Sequence, residues 1–590
     1  MPRSNRGMAG RLCVIVVSLA LGVFASAAIP QENRSAVLVG LWQATRNFTS
    51  EVRGTLLLIE RQGRVVADVA GYIVPVLVRE GTYTFELPDN KGSFRGHRTQ
   101  GGREIHGFWF QPPAATTTAL YSSPVTLKKD GAAWRGDVTP PADRFTYFLP
   151  VTRAADGTLK TYLRNPERND GVFTQVESIA LDGDRVTLAG HRRGSKEQAA
   201  MFEARLVEGR ITGLAGRGGS YDFDKVDDEV LSPFYPRGKS PAPYQYEKPL
   251  QRDDGWPTAT LEEVGIDRPG IEKLVDRITH APMESLGSGQ IHSLLIARHG
   301  KLVLEEYFHG HDRDTPHELR SASKSLTSMM VGAAMQAGIK VSPETPVYST
   351  MLGTLPDNID PRKREMKVKH LLSMTGGHFC DDNNDDAPGN EDKMQDQQEE
   401  RDWTRFILAL PMDRTPGEKP VYCSIDAHLS GIVLQRVAGE PLQELFDRLI
   451  ARPMRFGLHY EFLTPTKEVY GGGGWKMLPR DFLKISQLML NGGRWEGKQI
   501  VSREWAKTST APLRAFTPTS DYGYLWWTVE QPYRDRKVRV FFAAGNGGQV
   551  SIGVPDLDLA IVFTGGSYAD SALFIPQKVL VPEYILPAVQ

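Results

Sequence analysis

From residue 35 to 228 the apolar positions come in short strand-like runs, 54–60, 82–87, 144–149 and 178–181 among them. Turn pairs separate the runs at Gln62-Gly63, Asp89-Asn90, Asp130-Gly131, Asp156-Gly157, Asp182-Gly183 and Glu208-Gly209. Residues that tolerate positive φ between two apolar runs close hairpins, and no stretch here carries the 3.6-residue helical period. The pattern predicts an all-β region over 35–230, an antiparallel barrel or sandwich. A lipocalin-like barrel is one form that the hairpins allow, since they leave strand order and closure open.

Six prolines (Pro233, Pro236, Pro241, Pro243, Pro249, Pro257) then interrupt any ladder, because each lacks an amide hydrogen. They predict an extended linker over 231–259, the best domain boundary in the chain. Beyond it, 291–308 holds two strand-like runs around His299-Gly300, and a helical pattern sets in at Ser321. Strands return at 524–529, 537–543, 549–554 and 559–564, before a helix-like segment from Asp570. The early and late strands are expected to share one sheet. No fixed-period repeat is present.

At the start of the chain Arg3, Arg6 and Arg11 precede an apolar run over 12–24 that ends in Ala25-Ser26-Ala27. A basic start, a run too short to span a bilayer and an A-x-A site describe an export signal. Residues 1–27 are expected to be removed, leaving no stable membrane span and a periplasmic or secreted protein. Cys13 falls in the discarded peptide and lacks the preceding Leu-Ala-Gly of a lipid anchor.

With 590 residues the chain exceeds one hydrophobic core, and 40% apolar with 24% charged residues is a globular composition. Lys+Arg 70 against Asp+Glu 71 gives a net charge of -1, and loss of three arginines takes it to -4. That balance removes nucleic acid as a first partner. The mature chain keeps Cys380 and Cys423, which the exported compartment permits either to pair or to stay free.

The candidate chemistry starts at Ser321-Ala322-Ser323-Lys324. Three residues apart on a helix is nearly one turn, so the amine reaches the hydroxyl. Leu326, Met329, Met330, Ala333 and Ala334 supply a buried face behind Ser321, which places it at a helix N-terminus, where free amide hydrogens suit a developing oxyanion. Alone, such a pair is as well explained by a helix cap and a solvated lysine. Tyr422-Cys423-Ser424 follows about a hundred residues on, and an ammonium ion favours the phenolate of a neighbouring tyrosine. Tyr121-Ser122-Ser123 in the β region repeats the pattern but precedes the serine, and reads as chance.

Residues 320–328 and 422–424, in that order, resemble the penicillin-recognising serine hydrolases: class C β-lactamases, D,D-peptidases and related esterases and amidases. Segments 371–377, 471–476 with Pro479-Arg480-Asp481, and 522–527 look like parts of the same family. The resemblance covers about residues 260–588. It implies an α/β β-lactamase-like domain at 260–590, with a five-stranded antiparallel sheet, a helical lobe and the site between them. It implies Ser321 as nucleophile, Lys324 as the group tuning it and Tyr422 as proton carrier, with the choice of base between the last two open. The family's Lys-Thr-Gly or His-x-Gly falls at Ala543-Ala544-Gly545, which makes Asn546 N–H the second oxyanion donor beside Ser321 N–H, with Gly545 and Ser424 at the substrate. Ala543 lacks the cation that meets a substrate carboxylate.

The expected function is therefore an exported serine hydrolase that cleaves a small-molecule or peptide-like ester or amide through an acyl-enzyme on Ser321. A D,D-peptidase or β-lactamase is the alternative within enzymes, and a binding protein on the same fold the alternative outside them. No cofactor and no metal are expected, and a ligand of the β region is not indicated. The acidic run 381–400 lacks EF-hand spacing and reads as a solvated rim. His378 and His428 flank the cleft segments without metal-ligand spacing, and of Trp526 and Trp527 one is expected in the core and one at the cleft.

Overall fold

The computed structural model describes residues 35–396 and 399–590, so the export signal expected at 1–27 lies outside the described residues. Strand β1 (Gly40–Asn47) opens a closed antiparallel barrel whose next strand, Arg144–Arg153, comes a hundred residues later. Alternating positions such as Val186, Leu188, Ile211 and Phe223 pack inward on Trp42 and Leu149. The chain between β1 and Arg144 folds into a second antiparallel sheet that includes the long strand β2 (Leu120–Asp130). Several turns form as their residue types dictate: Gln62-Gly63, Asp89-Asn90 and Glu208-Gly209 have positive φ at both positions, the geometry that matches strand twist.

After an irregular, proline-rich crossing, β3 (Ile291–Arg298) and β4 (Lys301–Tyr307) form a hairpin. Helices α1 (Lys324–Gln336) and α2 (Ser424–Ala438) build the helical lobe and are buried along most of their length. An all-round apolar helix without an exposed face is the signature of such a position. Strand β5 (His459–Leu463) leaves this lobe to pair with β2, setting Glu461, Phe462 and Leu463 opposite Ser122, Tyr121 and Leu120. The β-rich half and the helical lobe are thereby joined by a ladder, and the buried Ser122 Oγ donates to Glu461 Oε2 at 2.9 Å across it.

Helix α3 (Pro479–Leu490) then leads to the last strands, β6 (Trp527–Tyr533), β7 (Arg536–Gly545), β8 (Gln549–Val554) and β9 (Leu559–Gly565). The five-stranded antiparallel sheet is ordered β4-β3-β9-β8-β7, and β6 with two shorter strands extends it to eight. The first hairpin and the last strands thus meet across the whole helical stretch. Ile271, Leu274 and Val275 with Leu580, Val581 and Ile585 cover one face, while α3 and the lobe cover the other. Burial on both faces explains why β9 reads as an unbroken apolar run rather than an alternating one. Among the described residues no helix is long and apolar enough to cross a membrane.

Candidate active site

Ser321 stands in a 3-10 turn, Arg320–Ser323, that runs directly into α1. Arg320 takes φ 49°, a left-handed conformation that costs a side-chain-bearing residue about 1–2 kcal/mol. Two contacts hold it there: an ion pair with Glu318, closest between Nε and Oε1 at 2.9 Å, and the approach of its guanidinium to 5.1 Å from the Tyr568 ring centre. The end of β7 presses on the same turn. A Cβ at Gly545 would sit 2.1 Å from the Leu319 carbonyl oxygen and 3.1 Å from the Ala322 nitrogen, so only glycine permits the approach. Asn546, the next residue, shares a cavity wall with Ser321.

Lys324, 2% exposed, donates to Ser321 Oγ at 3.0 Å and to the Gly472 carbonyl at 2.6 Å, and its Nζ lies 5.0 Å from the centre of the Tyr422 ring. Burial pushes the ammonium down. Tyr422 foremost, then Glu391 and Asp382, pull it up, and the balance lies above the ordinary lysine value. Tyr422 stacks on Trp527 with ring centres 5.9 Å apart and planes 19° apart, while Trp526 is in the core. Trp527 opens β6, while Trp526 lies just before it, so the two side chains part at the start of the strand and not through alternation within it.

Residues 471–474 lie against the Arg320–Ser323 turn and the start of α1. Thr327 Oγ1 donates to the Gly471 carbonyl at 2.9 Å, Gly471 N–H to His428 Nδ1 at 3.3 Å, and Trp475 N–H to Ser323 Oγ at 3.2 Å. Burial takes His428 down to about 3, so it serves as a neutral acceptor. His378 is also buried, its Nε2 hydrogen-bonded to the Tyr348 hydroxyl at 2.8 Å. Both histidines brace the lobe behind the cleft.

The acidic run departs from the expected solvated rim. Residues 383–386 are exposed, but Asp382 and Glu391 turn inward. Asp382 Oδ2 accepts from Ser424 N–H at 2.7 Å and from Ser424 Oγ at 2.6 Å, and Glu391 Oε1 accepts from the Tyr470 hydroxyl at 2.7 Å. A disulfide between Cys380 and Cys423, with Cα atoms 5.7 Å apart, fastens the start of this run beside Tyr422. No local charge pattern could separate the two inward carboxylates from their neighbours, because the cross-link that turns the run inward spans 43 residues. Opening it with Cys380→Ser is expected to cost the lobe about 3 kcal/mol of stability, read as a lower urea midpoint than wild type.

Burial first, then the Glu391 charge, pushes Asp382 up to about 7, against the opposing pull of Lys324 and the Ser424 hydrogen bonds. The folded state therefore binds this proton more tightly than the unfolded chain, whose carboxyl titrates at its ordinary value. The contribution to stability is present in acid and falls as pH rises from about 4 to about 7. Asp382→Asn is expected to flatten this fall, measured as the change in urea midpoint between pH 5 and pH 8.

A cavity of about 540 Å³ opens at Ser321. Asn546, Glu391, Tyr470 and Phe462 line it together with Thr116, Thr117 and Tyr121 from the β-rich half. Tyr121, dismissed in the sequence as a chance match, is thus a wall of the site. The β2–β5 ladder brings it there, a pairing no local motif announces. Its phenol is buried and pushed above the ordinary tyrosine range by that burial, so it stays protonated.

A serine, a buried lysine and a tyrosine thus meet at the junction of the five-stranded sheet and the helical lobe. Residues 275–567 match the family model described as Beta-lactamase, and this part of the chain belongs to that family. The chain is 25% identical over 261 residues to 6-aminohexanoate-dimer hydrolase of Paenarthrobacter ureafaciens, covering 40% of this chain and 63% of that protein. It is 23% identical over 175 residues to Protein flp of Staphylococcus aureus strain N315, covering 28% of this chain and 33% of that one. The chain spans less than two thirds of these curated relatives. A solved family VIII carboxylesterase matches with 17% identity and a TM-score of 0.43, over 55% of this chain and 99% of that structure.

Proposed function

We propose that the protein is an exported serine hydrolase that cleaves an uncharged ester or amide through an acyl-enzyme on Ser321. In this reading residues 260–590 are the catalytic domain, 231–259 the linker and 35–230 an accessory β domain that supplies one wall of the substrate cavity. The observation that carries it is the 3.0 Å contact of Lys324 Nζ with Ser321 Oγ, with Tyr422 beside the same amine. Because Lys324 is held above its ordinary value, it remains an ammonium ion at neutral pH. Tyr422 is then the group that takes the proton.

With Tyr422 acting as the phenolate beside the Lys324 ammonium, Ser321 Oγ attacks the carbonyl carbon as its proton passes to the Tyr422 oxygen, and the carbonyl oxygen gains charge between the amides of Ser321 and Asn546. Collapse breaks the bond to the leaving alcohol or amine, which receives the proton from Tyr422. Water then attacks the acyl carbon by the same route and releases Ser321. The preference for uncharged substrates is supported by Ala543, a small buried residue where the family carries a cation. Arg168 and Arg320 approach the cavity, but both are bound to Glu318, at 2.5 and 2.9 Å.

The test is the intact mass of the mature protein after brief exposure to a short p-nitrophenyl ester and, separately, to penicillin, with p-nitrophenol release followed in parallel. An ester-derived adduct that is absent from Ser321→Ala is expected. An adduct with penicillin and none with the ester would replace this reading by a penicillin-recognising one. No adduct and no turnover with either would leave a binding protein.

A further inference from the structure

Between the barrel and the catalytic sheet lies a second cavity, of about 510 Å³, lined by four histidines, of which His292, His311 and His317 bring their ring nitrogens together. His292 comes from β3, His311 from the turn after β4 and His317 from the short strand just before the catalytic turn. One nitrogen from each lies within 4.8 Å of the other two. His292 Nδ1 is 2.8 Å from His317 Nε2, and the His292 and His311 rings are stacked with centres 4.0 Å apart.

The hydrogen bonds fix which nitrogens can ligate. His317 Nδ1 is 3.0 Å from the Glu318 carbonyl, to which it can only donate, so His317 Nε2 carries a lone pair directed at His292. An imidazole oriented by a carbonyl on its far nitrogen is the usual outer support of a metal ligand. His292 is 1% exposed, and its Nε2 has no hydrogen-bond partner among the described residues. His311 lies face to face on His292, with ring planes 16° apart, so its ring has to turn about its side-chain bonds for its lone pair to meet an ion shared with the other two. Two nitrogens on a tetrahedral zinc, each at about 2.0–2.1 Å, stand about 3.3 Å apart. The His292–His317 contact needs to open by only about 0.5 Å to reach that spacing.

We propose that His292, His311 and His317 bind one divalent transition-metal ion, zinc by the preference of a three-imidazole set, with the fourth position open to the cavity. The sequence spacing hid the set, since one ligand precedes the β3–β4 hairpin and the other two follow it. The ion would brace the segment from His317 to Arg320. Glu318 of that segment accepts from Arg168 and forms an ion pair with Arg320, which is next to Ser321. It takes no part in the acyl transfer proposed above, and its test does not depend on turnover.

The experiment is elemental analysis of the purified mature protein, followed by chelator dialysis and titration with zinc chloride by calorimetry. Cobalt(II) chloride is added in parallel and followed by visible absorption. One equivalent of zinc is expected, with the intense d–d bands of four-coordinate cobalt. His317→Gln and His311→Ala are each expected to weaken zinc binding by about 100-fold or more. His299→Gln, at an exposed histidine paired with Asp558, is expected to leave it unchanged. His311 is less buried than the other two, so its variant decides the matter if His317→Gln fails to fold. Absence of a stoichiometric site, or equal binding by wild type and a folded His311→Ala, would overturn the proposal.

Discussion

Lys324→Ala is expected to lower kcat/KM for a short p-nitrophenyl ester by about 10⁴-fold. The amine makes two hydrogen bonds, to Ser321 Oγ and to the Gly472 carbonyl, and it is the cation nearest the Tyr422 ring. Its removal takes away the charge that favours a phenolate, loosens the serine and leaves a buried carbonyl unpaired. The same substitution removes the charge that opposes the upward push of burial and Glu391 on the Asp382 carboxyl. Tyr422→Phe divides the two possible bases. If Tyr422 takes the proton, its loss is expected to cost about 10²–10³-fold with Ser321 still held by Lys324. If Lys324 alone were the base, Tyr422→Phe would stay within a few-fold of wild type. Steady-state rates and acyl-adduct formation by mass measure both, and a folded Lys324→Ala protein within tenfold of wild type would refute the mechanism.

What the sequence disclosed and what it hid follow from the distance over which each feature is encoded. Ser321 and Lys324 are three residues apart on one helix turn, so their contact is written locally, as are the hairpins at 62–63 and 208–209. The strand runs at 549–554 and 559–564 were legible because two buried faces leave an unbroken apolar record. Tyr422 became readable through the family resemblance, since nothing local says that a residue a hundred positions on will stand beside Lys324. The insertion of a whole sheet between β1 and its barrel neighbour left no mark in hairpin spacing, because every turn within it is an ordinary turn. Asp382, Glu391 and Tyr121 escaped for a similar reason. Their positions are set by a disulfide and by a ladder between the two halves, both non-local. The three histidines of the second cavity belong to the same class.

Gly545→Ala is expected to reduce kcat by about 10²–10³-fold, the effect of losing one oxyanion donor, with KM changed far less. At Ala543-Ala544-Gly545, where the family resemblance leads one to expect a cation two residues before a glycine, only the glycine is present, and the geometry explains why that residue is required. The added methyl would stand 2.1 Å from the Leu319 carbonyl oxygen and 3.1 Å from the Ala322 nitrogen, so either the end of β7 or the turn that carries Ser321 has to retreat. The β7–β8 ladder pins the strand up to Gly545 opposite Gln549. The turn is pinned by Arg320 on Glu318 and by Gly474 N–H on the Arg320 carbonyl at 3.3 Å. Whichever side yields, the Ser321 and Asn546 amides move apart, and a displacement near 1 Å is enough to cost about 100-fold when the reacting geometry must be held. Overpacking of this kind destabilises by about 1–3 kcal/mol, so the variant is expected to fold with a lowered thermal midpoint, which separates a misplaced oxyanion site from an unfolded one. A folded Gly545→Ala protein with kcat within threefold of wild type would remove the end of β7 from the catalytic machinery and leave Ser321 N–H without the partner assigned to it.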